Sequence, residues 1–268
     1  MTRWIVCRAW PLAAVAVLCS GCSTLPSGKR WGEDATLTPG WQAVGDAAGQ
    51  SLRDPWVWAP LAGAALFQID NLDRRTSDWA RDHTPVFGSQ SNAEDWSDRL
   101  EIASVIVDGV TMAATPGGDD PGDWVISKAK GALVGIAAIG ATTFMTASIK
   151  DIAQRERPNA QDDKSMPSGH ASSAAVHTRL AALNLDYVDM NDTARSVARL
   201  GVGALSLGTG WARVESGWHY PSDVLVGMAI GNFFASFFNR AFLGADASDS
   251  FALSATDGGA MVQWQIAF

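Results

Sequence analysis

Cysteine is nearly missing from this chain. The 268 residues hold three, at positions 7, 19 and 22, and none after that. A folded body without thiols has no disulfide framework, no thiolate nucleophile and no cysteine metal ligand. Positive charge is also scarce, with 20 Lys and Arg against 28 Asp and Glu, a formal net charge of -8. No basic stripe interrupts that balance, which argues against nucleic acid as a partner. Charged residues make up 18% of the chain and hydrophobic ones 47%, more apolar than an average soluble domain but low for a polytopic membrane protein. No internal repeat is present.

The first residues read as an export segment. Arg3 and Arg8 precede an apolar run from Trp10 to Leu18, and small residues lead into Cys22. This layout resembles a bacterial lipobox, in which Cys22 would be lipidated. It departs from that box at Cys19, where leucine is usual. Ordinary signal cleavage nearby and an uncleaved anchor are the alternatives. The expected organisation is a leader over 1–22, a Gly/Pro/Ser-rich tether and lead-in over 23–50, a helical domain over 51–243 and a C-terminal extension over 244–268.

Apolar stretches of helix length run Pro55–Ile69, Leu100–Ala114, Gly131–Ile149, Ala171–Leu185, Val197–Ala212 and Val224–Leu243. Their many Gly, Ala and Ser residues suit close helix packing. Polar segments between them, including Asn71–Asp98, read as loops. Gly131–Ile149 holds no charge and reaches the length of a membrane span, or it is a buried central helix. We read a globular bundle tethered to a membrane, with an integral bundle as the alternative. The tail alternates apolar and polar residues around Asp257-Gly258-Gly259, which predicts a β-hairpin packed on the bundle or paired with the lead-in. The expected fold class is all-α, with that hairpin appended.

Three short segments carry chemistry. "KDIAQRERP" places Lys150 and Arg157 seven apart, two turns along one helix face, before Pro158. Two cations at the end of an apolar helix imply an anion; snorkelling side chains are the ordinary alternative. "SMPSGHASS" places Ser168, Gly169 and His170 at a helix start, where free N–H groups suit an anion; a capped turn with a surface histidine explains it equally. "ARVESGWHYPSD" places Arg213, His219 and Asp223 so that the carboxylate can point back at the imidazole, or simply cap its own helix. Other residues are less telling. His177 suits packing or support of His170, His83 the surface or a substrate mouth, and Trp211 and Trp218 the core or an apolar rim. Asp119 and Asp120 read as a solvated loop.

In this order the three segments resemble the signature of the type 2 phosphatidic acid phosphatase family, which spans class A acid phosphatases, lipid phosphatases and vanadium haloperoxidases. The resemblance covers Lys150 to Asp223. It implies an all-helical phosphatase fold and a role for each residue. His219 would be the nucleophile that becomes phosphohistidine, Asp223 its orienter and His170 the general acid. Lys150, Arg157 and Arg213 would hold phosphoryl oxygens, with Ser168 and the N–H of Gly169 as further donors. Three cations and a helix N-terminus can stabilise phosphoryl transfer with no metal or cofactor. Ala212 stands where the family usually has serine, which removes one secondary hydrogen bond. The expected substrate is a phosphorylated small molecule or lipid, met at a periplasm-facing membrane surface. A vanadate-dependent haloperoxidase and a non-catalytic lipoprotein are the competing functions.

Overall fold

The computed structural model describes residues 31–118, 120–244, 249–256 and 259–266, with side chains up to Gly244. The expected leader, lipidation at Cys22 and the loop residue Asp119 lie outside the described residues.

Helices build the fold: α1 (Trp41–Arg53), α2 (Pro55–Leu66), α3 (Leu72–His83), α4 (Gln90–Ala114), α5 (Pro121–Ala153), α6 (Gly169–Asn184), α7 (Asp192–Glu215) and α8 (Pro221–Phe242), with short 3-10 turns at Ile69–Asn71 and Leu185–Tyr187. Their starts follow local chemistry. The side chains of Asp54, Ser89, Asp120, Ser168 and Asn191 accept from backbone N–H groups of the first turn, satisfying donors that have no partner within the helix. Pro55, Pro121 and Pro221 occupy first-turn positions, where a missing N–H costs nothing. Beyond the bundle, the backbone of β1 (Asp249–Thr256) runs antiparallel to β2 (Gly259–Ile266), with Thr256 opposite Gly259. The expected packing of this segment involves side chains outside those described.

The central helix is α6, not the long apolar α5. Every residue of α6 from Ala174 to Ala181 is buried, and α4, α5, α7 and α8 all pack on it. By contrast, α5 buries a narrow stripe of Ser127, Gly131, Val134, Ala138, Thr142 and Thr146 and leaves the rest half-buried or exposed. Ile136 is 64% exposed and Phe144 71%. Both α5 and α8 are long and apolar enough to cross a membrane.

Small residues set the α6–α8 distance. A Cβ on Gly227 would lie 2.6 Å from the Ser168 carbonyl oxygen, and one on Gly231 2.4 Å from that of Ser172. Only glycine permits this approach, which fixes the start of α6 against the start of α8.

Two polar stretches are helical against expectation. Residues 72–83 form α3, and α4 begins at Gln90, ten residues before its apolar part. The inward positions of α3 are Asp73, Ser77 and Ala80, and those of early α4 are Ala93 and Ser97. They have helical spacing but no apolar signal. The lead-in likewise turns helical at Trp41, where α1 buries Ala47 and Ser51 and lies along α8.

Candidate active site

The site is built where the C-terminal end of α5, the N-terminal ends of α6 and α8, and the C-terminal end of α7 meet. His219 lies in the turn between α7 and α8 and is 2% exposed. Its Nδ1 is 2.6 Å from the carbonyl oxygen of Ser165. A carbonyl only accepts, so Nδ1 carries the proton and donates it, and Nε2 keeps its lone pair. Nε2 faces Nη1 of Arg157 at 3.3 Å. Burial pushes the His219 pKa well below its ordinary 6.5, and the charges of Arg213, Lys150 and Arg157 push it further. The imidazole is therefore neutral at neutral pH, with an unprotonated Nε2 that accepts from Arg157 and lies in the field of three cations.

Those cations are each pinned from behind. Lys150, in the last turn of α5, donates to the Lys164 carbonyl at 2.8 Å; burial, then Arg157, lowers its pKa to about 8. Arg157 donates through Nε to Asp162 at 2.5 Å and through Nη1 to the Trp218 carbonyl at 3.1 Å. Arg213 reaches Ser97 Oγ through Nη1 at 3.2 Å, while its Nε is buried without a hydrogen-bond partner. Burial brings its pKa down to about 10, against the pull of Glu94. Trp218 lies under both guanidinium groups, 4.8 Å from Arg157 and 5.1 Å from Arg213, which makes it a cation–π platform. Trp211 instead donates to Glu215 and packs on the core.

Asp223 does not touch the imidazole. Its Oδ2 accepts from Ser165 Oγ at 2.6 Å and from the Tyr220 N–H at 2.9 Å, and its Oδ1 accepts from Arg155 at 2.7 Å. The carboxylate thus caps α8 and holds Ser165, whose carbonyl orients His219. The expected direct contact is replaced by a two-step one, because the chain at Ser165 passes between the two side chains. Burial raises the Asp223 pKa, with Arg155 opposing.

Ser168 caps α6, its hydroxyl facing the Ala171 N–H at 3.4 Å, and its own N–H donates to the Asp223 carbonyl at 3.0 Å. Gly169 is the first residue of α6, and no atom lies within 4 Å of where a Cβ would stand. His170 follows. Its Nε2 lies 2.9 Å from Asp98 and 3.3 Å from Glu101. Charges of Glu94, Asp98 and Glu101 also act on Arg213, so one acidic face of α4 serves both. His177 is not part of this group; it pairs with Asp108 at 2.8 Å. His83 is exposed and stacks on Trp79.

Sequence reasoning missed Arg155, Asp73, Ser165, Asp98 and Glu101. Arg155 bridges Asp223 and Asp73, both at 2.7 Å, and lies 4.1 Å over the Tyr220 ring. It sits two residues before Arg157, so its charge was visible but its direction was not. Asp73 and Asp98 come from stretches read as loop.

The PAP2 superfamily model matches residues 131–245, which contain every position singled out above for anion binding and acid–base chemistry. Among solved structures the chain is similar to a transmembrane PAP2-type phosphatidylglycerolphosphate phosphatase from Bacillus subtilis, at 18% identity and a TM-score of 0.52, over 69% of this chain and 92% of that one. At this identity the likeness is one of fold. No curated protein sequence matches significantly.

Proposed function

We propose that this chain, whose residues 131–245 match the PAP2 superfamily model, is a phosphoric ester hydrolase that cleaves phosphate monoesters or lipid (pyro)phosphates by way of a phosphohistidine, without a metal. The observation that carries the reading is the state of His219: a buried, neutral imidazole with Nδ1–H on a carbonyl and an unprotonated Nε2 that faces Arg157. Next to it stands Arg213, whose buried Nε awaits an acceptor. A dianionic phosphoryl group supplies what these cations lack.

In the first step Nε2 of His219 attacks phosphorus, and the bond from phosphorus to the leaving oxygen breaks. Lys150, Arg157 and Arg213 hold the non-bridging oxygens, with Ser168 and the N–H of Gly169 as added donors. His170 gives its proton to the leaving oxygen. In the second step water attacks the phosphohistidine, His170 takes the water's proton, and inorganic phosphate leaves with His219 restored. Asp98 and Glu101, at 2.9 and 3.3 Å from Nε2, orient the His170 ring for this transfer. Positioning and charge do the catalytic work, as expected for phosphoryl transfer.

The apolar outward faces of α4, α5 and α7 support membrane association, with Ile106, Ile136, Phe144 and Leu200 each more than half exposed. Large apolar side chains exposed along three helices suit contact with a membrane. Tethering through Cys22 at a periplasm-facing surface belongs to the same reading, as does a lipid phosphate as substrate.

The test is hydrolysis of a chromogenic phosphate and a panel of lipid phosphates with chelator present, using the wild type and His219→Ala. Phosphate release from at least one of them, lost in the variant, is expected. No release from any, or unchanged release from the variant, would overturn the reading.

A further inference from the structure

α4 and α5 both pack on α6 and leave a groove between them, floored by α6 and α8, of about 230 Å³. It lies two turns down α6 from the phosphate pocket, about 10 Å, since His177 lines it and His170 lines the other. The walls are apolar: Val105 on α4, Ile136 and Ile139 on α5. Gly109 and Gly135 keep them apart. No atom lies within 4 Å of a Cβ built on Gly109, and only Leu180 Cδ1, at 4.0 Å, meets one on Gly135.

The floor is different. Asn239 lines the groove and is 1% exposed, and both its Nδ2 and its Oδ1 lack a hydrogen-bond partner. A buried amide in that state is costly unless something completes it. Beside it, Asp108 is already engaged by His177 at 2.8 Å and by Asn184 at 3.5 Å. A carboxylate ligand would meet Asp108, and a cation would find that carboxylate taken. The vacant groups are an amide –NH₂ and a carbonyl oxygen, and a hydroxyl group, which both accepts and donates, can meet one of each. The volume lies below the roughly 300–1,000 Å³ of pockets for drug-sized ligands and suits a single chain.

We propose that this groove binds a long-chain alcohol, its hydroxyl paired with the Asn239 amide and its hydrocarbon chain running out between Val105 and Ile136. The site is separate from the phosphate pocket and stands whether or not the protein is a phosphatase.

The test is photolabelling of the full chain with hexadecanol carrying a diazirine in its chain, beside the matched hexadecane probe. Both are expected to label α4 and α5. Asn239→Leu is close in size and removes an unpaired polar group, so it should fold. It is expected to cut labelling by the alcohol roughly three- to tenfold, the worth of one or two neutral hydrogen bonds, and to leave the alkane unaffected. Gly135→Phe fills the groove and should abolish labelling by both; Gly109→Phe does so from the other wall, and melting temperatures confirm that each variant folds. Labelling that survives both fillings, or that falls elsewhere, overturns the site. Alcohol and alkane labelling changing alike in Asn239→Leu overturns the role given to the hydroxyl.

Discussion

At the scale of single residues, protonation states govern what the site can do. His219 is held neutral by burial and by three cations, so its acid limb lies below the ordinary histidine range. Lys150 behaves oppositely: with a pKa of about 8, it is charged below that pH and, in the proposed role, would lose its hold on phosphate above it. Profiles of kcat/KM report the free enzyme. No acid limb from His219 is expected near pH 6.5, and the loss of activity that falls near pH 8 should move upward in Lys150→Arg, because arginine does not titrate there. An alkaline limb unmoved in that variant would remove Lys150 from phosphate binding. Asp223 acts through Ser165, so Asp223→Asn should leave His219 in its tautomer but loosen its placement. The expected result is a drop in kcat of up to about 100-fold with little change in KM, since misplacement by an ångström can cost that much. The motif residues themselves were legible in the sequence because their spacing is set by helix ends. The inserted Ser165 carbonyl was not, because loop direction leaves no periodic trace.

At the scale of elements, the site depends on α6 and α8 meeting at backbone distance. Gly231→Ala puts a methyl group 2.4 Å from the Ser172 carbonyl oxygen, and backbone cannot yield cheaply. It should cost about 1–3 kcal/mol, the usual range for overpacking, read as a lower midpoint in chemical denaturation. A stability equal to wild type would mean that the two helices are not pressed together as described. The apolar helices were legible from hydrophobic runs. α3 and the start of α4 were hidden because they bury Asp73, Ser77 and Ser97, and the two readings of α5, a membrane span or a buried central helix, stayed open because composition cannot distinguish a buried helix from one that exposes an apolar face. Which helix is central is decided by residue size: α6 is rich in Ala and Ser, which let four neighbours approach.

At the scale of the whole molecule, a buried charge cluster ties the first helices to the last. Asp54, at the α1–α2 junction, accepts from Arg179 of α6 at 2.6 Å and Arg240 of α8 at 3.2 Å. Burial pushes its pKa up, but the two arginines outweigh this and hold it below the ordinary 3.8. A depressed carboxylate pKa stabilises the fold above the unfolded value and loses that contribution as pH falls through the folded one. Asp54→Asn should therefore cost about 3–5 kcal/mol at pH 7, where it removes the charge that faces two buried arginines. The gap from wild type in thermal melts should narrow as pH drops below 3.8, and a gap constant with pH would contradict the assignment. The same bundle, once assembled, exists to bring His219 and three cations to one point. The most direct measurement is a rapid quench during turnover of a ³²P-labelled phosphate ester, followed by peptide mapping. An acid-labile, base-stable label on His219, absent in His219→Asn, is the predicted result; turnover with no label on His219 would contradict it.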